Sequence, residues 1–429
     1  MLRPRRFALI ASLIVFTVAL FAQPAMAEQP EQEWTYSTNA YITASPVYQN
    51  NVLYVASQNG KLYALYTPYG SAQWNFTTHN QTPSAIQATP LVVTDQVTNT
   101  RMVYFGSDQG TMFAVNGLTG KEVWRFQADS SIDSTPVFYN GILFFGTFNG
   151  KVYALAVEDG HEYWNFTTEG WISDGIEAKD NVIYFGSRDG NLYGVEIGNG
   201  KQKLKTSLNS RVNAPTIWGD NIYVGTQDGY LYCIDRYSGN QQWKFQTDGA
   251  IVSRPLVQLN TVYIGSADGN VYAINATSGK QAWSFPTQDG VKATPGFDSG
   301  ILYIGSGDKN VYAVDARMGL QYWKYNVGSA VDTTPVVGTG TDKKKYLYFA
   351  TVNGDVISLK LPDTLIMATP TPTPRPIATP TPVPSPTVTI TPTPVPLPSV
   401  SPEPQSWCPL PGLLAAALAV VGLVYYRRR

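Results

Sequence analysis

The stretch MFAVNGLTGKEVWRF, Met112 to Phe126, places Gly120 six residues after Ala114 and Trp124 four residues after Gly120. The same intervals recur at Ala64/Gly70/Trp74, Ala154/Gly160/Trp164, Ala273/Gly279/Trp283 and Ala313/Gly319/Trp323. Two further copies are degenerate: Cys233/Gly239/Trp243 has a thiol at the Ala position, and Gly194/Gly200/Leu204 has neither Ala nor Trp. A second landmark stands fourteen residues before each Trp position, at Gly60, Gly110, Gly150, Gly190, Gly229, Gly269 and Lys309, and Gly354 makes an eighth. The usual interval is 40 residues. A period of that length marks a solenoid or a propeller and overrides the division into two or three domains that chain length alone suggests.

The pattern inside one unit decides between the two. In NTVYIGSADGNVYAINATSGKQAWSF, Asn260 to Phe285, a short apolar run leads through a turn dipeptide to an alternating run. A Gly-containing turn and a strand ending in Trp-x-Phe follow, with no helical period. Asp-Gly or Asn-Gly between strand-like runs is a strong hairpin signal, implying positive φ at both central residues. Reading those Asp residues as calcium ligands would need a denser acidic loop than one Asp per turn. In seven units a Pro opens one more run (Pro46, Pro90, Pro136, Pro215, Pro255, Pro295 and Pro335), a strand start at which a missing N–H is tolerated. Four strands per unit and eight turn landmarks predict an all-β fold, an eight-bladed β-propeller of four-stranded blades. The eighth unit supplies three strands and stops at Pro362, while Trp34 precedes Trp74 by the same 40 residues. The N-terminal segment is therefore expected to supply the missing strand of the last blade and close the ring.

The Ala-x5-Gly-x3-Trp spacing with TGKEVW resembles the tryptophan-docking motif of the eight-bladed PQQ-like propellers. That superfamily contains the quinoprotein alcohol dehydrogenases and the non-enzymatic outer-membrane assembly protein BamB. The resemblance covers roughly Glu31 to Leu361. It implies that Trp34, Trp74, Trp124, Trp164, Trp243, Trp283 and Trp323 pack between adjacent blades, a place suited to an indole's large apolar area and single N–H. Trp171, Trp218 and Trp407 stay outside the motif.

The two ends indicate where the ring resides. Residues 1–27, with three arginines, an apolar core from Phe7 to Phe21 and Ala25-Met26-Ala27, read as a secretory signal peptide cut before Glu28. The propeller is expected over residues 28–362. Residues 363–408 form a Thr/Pro-rich stalk, extended and semi-rigid, and 409–429 a transmembrane or sorting segment ending in Arg427, Arg428 and Arg429. The order of Pro-Gly, apolar run and basic end resembles the C-terminal sorting signals of archaeosortase and exosortase substrates, with Leu413 after Pro411-Gly412 where the archaeal pattern has Phe. LPDTL at Leu361 is not a sortase box. The expected location is the extracellular side of the cell membrane, anchored at the C-terminus.

Of the 30 basic residues, six arginines belong to the two ends, so against 31 acidic residues the exported part is about 7 charges negative and nucleic acid is an unfavourable partner. Sequons at Asn75, Asn80, Asn165 and Asn275 are candidates for glycosylation, two of them in WNFT on an expected outermost strand. Cys233 reads as a small core residue, and Cys408 stands at the membrane edge. The ring is expected to be monomeric and to bind an extracellular protein or glycan.

Catalytic signals are sparse. The chain has two histidines, His79 and His161, and HEYWN carries Asn165 where the second His of a zinc motif belongs. No Walker loop, nucleophile elbow or dinucleotide fingerprint occurs. The enzyme alternative is a PQQ-dependent quinoprotein dehydrogenase, for which the resemblance implies adjacent cysteines, a calcium site and a catalytic Asp near the ring axis. The blade region has one Cys and no adjacent pair. The expectation is a non-catalytic cell-surface propeller that displays a binding or scaffold surface and carries no cofactor.

One asymmetry suggests where that surface lies. Four residues before the strand-opening Pro, most units place Ile or Val (Ile42, Ile86, Ile132, Ile251, Val291, Val331), while units four and five place Trp171 and Arg211. Unit four replaces the Pro by Gly175, after Asp174, and nearby units add Asn213 and Arg254. Trp171, Asp174, Arg211, Asn213 and Arg254 are thus the candidate binding rim at one mouth of the channel, with Asp133, Lys292 and Asp332 completing it. The competing structural reading is that unit four has degenerated, as Leu204 suggests, and that Trp171 fills the space of the missing Trp.

Overall fold

The computed structural model describes residues 28–79, 82–95 and 100–363. The signal peptide, the stalk, the sorting segment, Cys408 and Asn80 lie outside the described residues. Eight antiparallel four-stranded sheets follow one another, and in seven of them the strands pair in sequence order. The eighth joins Val336–Thr339, Lys345–Ala350 and Asp355–Lys360 to Glu31–Ser37, the first strand of the ring. The inner strand of blade one, Val47–Gln49, lies against Val336–Thr339 of blade eight, which completes the circle. The expected eight-bladed propeller, closed by its N-terminal strand, is the observed fold.

The repeated spacing follows from one strand defect and one docking contact. In blade three Ala154 faces Trp164, but Leu155 faces Glu162, so Tyr163 is an extra, unpaired residue. The same bulge recurs opposite each Ala position and in the closing strand, between Gln32 and Trp34. It twists the outermost strand and turns the indole toward the next blade. There the ring lies on the Gly of that blade's last turn: a Cβ at Gly160 would come within 2.7 Å of the Trp124 ring. Nε1 of Trp124 donates to the Val157 carbonyl at 3.0 Å, and Trp34, Trp74, Trp164, Trp243 and Trp283 make the equivalent bond. The apolar core consequently sits between blades; one cluster joins Tyr54 and Ala64 of blade one to Val103, Phe105 and Phe113 of blade two.

The repeat carries a second aromatic, twenty residues before the Trp position. Tyr54, Tyr104, Tyr223 and Tyr263 pack beside the Trp of their own blade. Each donates its hydroxyl to the same carbonyl that the Trp reaches: Tyr54 and Trp74 converge on Gly117, at 2.9 and 3.2 Å. Burial raises these phenols, Tyr104 to about 12, so they stay neutral donors.

One expectation needs correction, and two seams depart from the repeat. In the Asp-Gly and Asn-Gly turns only the Gly, or Lys309 in its place, has positive φ. Gly60 N bonds to the Ser57 carbonyl and Ser57 N to the Lys61 carbonyl, a type I turn followed by a left-handed residue. Two-residue turns with positive φ at both positions occur instead between the first and second strands, among them Asn50-Asn51, Asn140-Gly141 and Asp180-Asn181. At the seam where Leu204 replaces Trp, Arg236 is buried, pairs with Asp180 at 2.5 Å and lies against Tyr184. Finally, Trp323 is buried in its seam, but its Nε1 has no partner, because blade eight has no docking Gly and the chain leaves at Leu361.

Candidate functional site

Antiparallel pairing brings two segments of every blade to the same end of the ring: the loop entering the blade and the turn joining its second and third strands. A backbone bond ties them in each blade, including Phe148 N to Ser131 O at 3.0 Å, Arg188 N to Trp171 O at 2.9 Å and Gln227 N to Arg211 O at 3.1 Å. The other copies place Tyr41, Ala85, Ala250, Gly290 and Ala330 where Trp171 and Arg211 stand.

This ladder shifts the register inferred from the Pro positions. Ile172 and Val212, both buried, occupy the place of Ile42 and Ile86, and they make the same backbone bond, to Thr147 O and Ser187 O. Trp171 and Arg211 therefore stand one position earlier, on the outer lip. The cause is that Ile176, not Gly175, fills the Pro position of blade four and begins the strand Ile176–Lys179 itself. Blade five is one residue shorter, with three rather than four steps from Val212 to Pro215.

Trp171 is 44% exposed. Its ring centroid lies 4.5 Å from that of Phe148, and the Arg188 guanidinium stands 4.4 Å from it and 5.9 Å from Phe148. Because 5.9 Å is far short of the two separations added together, Phe148 and Arg188 do not sandwich the indole, which stays partly open to solvent. These contacts belong to blades three and four on the loop side, so Trp171 does not fill the Leu204 gap. Phe148 and Arg188 were missed in the sequence. They occupy the variable second position of the Ser-x-Asp-Gly turns, where other copies have residues such as Gln58, Ala267 and Gly307.

The remaining rim residues separate. Arg211 Nη2 bonds to Ser173 Oγ at 3.3 Å and pairs with Asp174 at 3.2 Å, beside Trp171. Burial pushes the Asp174 carboxyl up, and Arg211 opposes that shift. Asn213 is fully buried and donates to Ile251 O at 2.5 Å, a brace between blades five and six. Arg254 lies in the channel wall against Glu177, with Nε donating to Thr216 Oγ1 at 3.2 Å. Burial pulls its guanidinium down to about 10, and the adjoining carboxylate favours the charged form. Lys292 pairs with Asp332 at 3.0 Å. Asp133 accepts from Ser131 Oγ at 2.7 Å, and burial with Asp108 nearby pushes its carboxyl up to about 6.

The channel encloses about 740 Å³ and is lined from every blade. Calcium with a quinone would need several free carboxylates around one point. Here Asp174, Glu177 and Asp332 each face a cation, and among the described residues no three His, Cys, Asp or Glu side chains converge. Cys233 is buried, and burial raises its thiol to about 11, which makes it unreactive. The residues present do not fit the quinone and its metal.

The opposite end differs in chemistry. Exposed large apolar side chains there include Tyr69, Leu118, Trp218, Tyr237, Leu259 and Met318, whereas among the described residues the loops on the Trp171 side expose only Tyr41 and Trp171. Asn75 and Asn165 are exposed on the outermost strands Ser71–Thr77 and Glu162–Thr167. Asn275 holds a turn, accepting from the backbone N–H groups of Thr277 and Ser278.

No curated protein sequence matches the chain. Among solved structures, BamB from Moraxella catarrhalis is similar at 16% identity and a TM-score of 0.63, over 78% of this chain and 100% of that one. The quinohemoprotein alcohol dehydrogenase of Comamonas testosteroni is similar at 14% identity and a TM-score of 0.66, over 79% of this chain and 78% of that one. Sqt1 of Saccharomyces cerevisiae is similar at 14% identity and a TM-score of 0.67, over 78% of this chain and 100% of that one. At such identities the likeness concerns the fold alone. A family model also matches, at residues 17–165, 96–217 and 201–372. The chain therefore belongs to the PQQ-like propeller family described as outer membrane protein assembly factor BamB.

Proposed function

We propose that this protein is a non-catalytic propeller of the cell exterior that binds an extracellular partner on the face carrying Trp171. The observation that supports it is a half-exposed indole, backed by Phe148 and Arg188, at a lip position where four other blades carry only Ala or Gly. Aromatic and guanidinium groups held in place by neighbours are the usual anchors of recognition surfaces. The signal-like residues 1–27, the stalk at 363–408 and the basic-ended apolar segment at 409–429 support export of the ring at residues 28–362 and display on a membrane anchor. The quinoprotein alternative has fold likeness in its favour, but its metal lacks a donor set here. Incubating the full chain with PQQ and calcium tests this reading. The expected result is no stoichiometric cofactor absorbance and no dye-linked alcohol oxidation; stoichiometric uptake with turnover would overturn it.

A further inference from the structure

Three features of the Trp171 face narrow the chemistry of its ligand, given that the face has the binding role proposed for it. The first is isolation. Beyond Phe148, packed on the ring, the lip carries Ser131 and Arg211 on the flanking blades and Ala250, Gly290 and Ala330 on the far side, with Tyr41 of blade one as the other exposed aromatic among the described residues, so the apolar area around the indole is narrow compared with that of a protein hot spot. The apolar surface lies at the other end, around Trp218 and Leu259.

The second feature is charge compensation. Asp108, Asp133 and Asp174 share this face with Arg188 and Arg211, and Arg188 feels Asp174, Asp133 and Arg211 together. An anion would meet Asp108 and Asp133, and a cation would meet the guanidinium already seated on the indole. Neither charged class is favoured over a neutral one.

The third is the type of polar group. The planar side chains Gln87 and Asp108 of blade two, joined at 3.0 Å, stand beside Asp133 of blade three, which lies between them and the blade of Trp171. Below them the channel wall carries the hydroxyls of Thr43, Thr89, Thr135, Thr294 and Thr334. Planar amide, carboxylate and guanidinium groups match pairs of neighbouring hydroxyls, and a half-exposed indole matches the C–H face of a pyranose ring.

We propose that the Trp171 face is a saccharide-binding site, taking a neutral glycan whose sugar ring stacks on Trp171 while Arg188, Asp133 and Gln87 bond its hydroxyls. The test titrates the full chain with neutral hexasaccharides of β-1,4-glucose, α-1,4-glucose, β-1,3-glucose and β-1,4-N-acetylglucosamine, with hexagalacturonate as the anionic control. At least one neutral hexasaccharide should bind, with little salt dependence. Trp171→Ala should weaken it by about ten-fold or more, Trp171→Phe should keep part of the affinity, and Trp218→Ala on the opposite face should leave it unchanged. The melting transition of each variant, expected to be unaltered, checks folding. Absence of binding by all four neutral sugars, binding of hexagalacturonate alone, or indifference to Trp171→Ala would overturn the saccharide assignment. A protein partner that depends on Trp171 while no sugar binds would overturn it and leave the binding role standing. Loss of both sugar and protein dependence on Trp171 would remove the binding role as well.

Discussion

Trp34 Nε1 donates to the carbonyl of Thr67 at 2.7 Å, and this bond spans the point where the two ends of the ring meet. Trp34 belongs to the strand that completes blade eight, while Thr67 belongs to blade one. A Cβ at Gly70 would lie 2.5 Å from the indole, so the contact is as close as those inside the chain's continuous part. Deleting residues 28–37 should therefore unpair Asp355–Lys360 and open two blades, with aggregation through the bared edges. The milder Trp34→Ala should cost about 3–5 kcal/mol in denaturant unfolding. An unaltered transition in both variants would contradict non-covalent closure.

The Leu204 seam offers a coupling test. Arg236 is buried there beside Tyr184, which elsewhere has an indole as its neighbour, and its partners Asp180 and Asp220 are mostly exposed. Leu204→Trp alone should destabilise the ring, since the space is occupied. Combined with Arg236→Ala it should recover, giving a coupling of about 1–3 kcal/mol in a double-mutant cycle. Strict additivity would show that Arg236 does not stand in for the missing ring.

Lys309, with φ 70°, and Leu259, with φ 50°, hold left-handed backbone without being Gly or Asn. The left-handed conformation costs an L-residue about 1–2 kcal/mol, whereas Gly gives up about 0.5–1 kcal/mol more freedom on folding. Strain wins, so Lys309→Gly should stabilise by about 0.5–1 kcal/mol in chemical denaturation. A loss of stability would mean that the Lys309 side chain contributes contacts larger than its strain.

These positions also show what was legible in the sequence. Gly at a left-handed turn, Gly beneath an indole and Pro before an inner strand are local steric demands, so they recur visibly and give the blade count. The candidate rim was legible only in part. Blade four has Ile176 in place of Pro, and blade five lacks one residue before Pro215, so counting back from Pro slipped the register by one. Phe148 and Arg188 stand at a turn position free of backbone constraint, and only comparison of that position across all eight turns would have singled them out. Asn213, read as a rim residue, points inward: its backbone N–H meets Gly225 O, the carbonyl that Ser134 and Ser253 reach by side chain at Gly146 and Gly265 of their own blades, which frees its amide to bond across to Ile251 O of the next blade.

Asp133 sets a pH dependence. Its folded carboxyl lies at about 6, raised by burial and by Asp108, against about 4 in an unfolded chain. A raised value means that protonation stabilises the fold, fully below about pH 4, and that this stabilisation is lost as pH rises through about 6. Asp133→Asn should therefore be more stable than the parent by about 1–2 kcal/mol near pH 7, after allowing for solvent screening, and equal to it near pH 4. Urea melts at the two pH values check this; a constant difference would contradict the burial of that carboxylate.

Recognition of a partner through the Trp171 face is tested most directly by comparing the full chain with its Trp171→Ala and Trp218→Ala variants. Affinity toward the neutral hexasaccharides, and toward extracellular proteins captured by the parent chain, is measured for each, with the melting transition recorded alongside. Trp171→Ala should lose about ten-fold or more, Trp218→Ala should lose nothing, and melting should be unchanged in both. Equal affinity of the Trp171→Ala variant and the parent, or a loss confined to Trp218→Ala, would contradict recognition through this face.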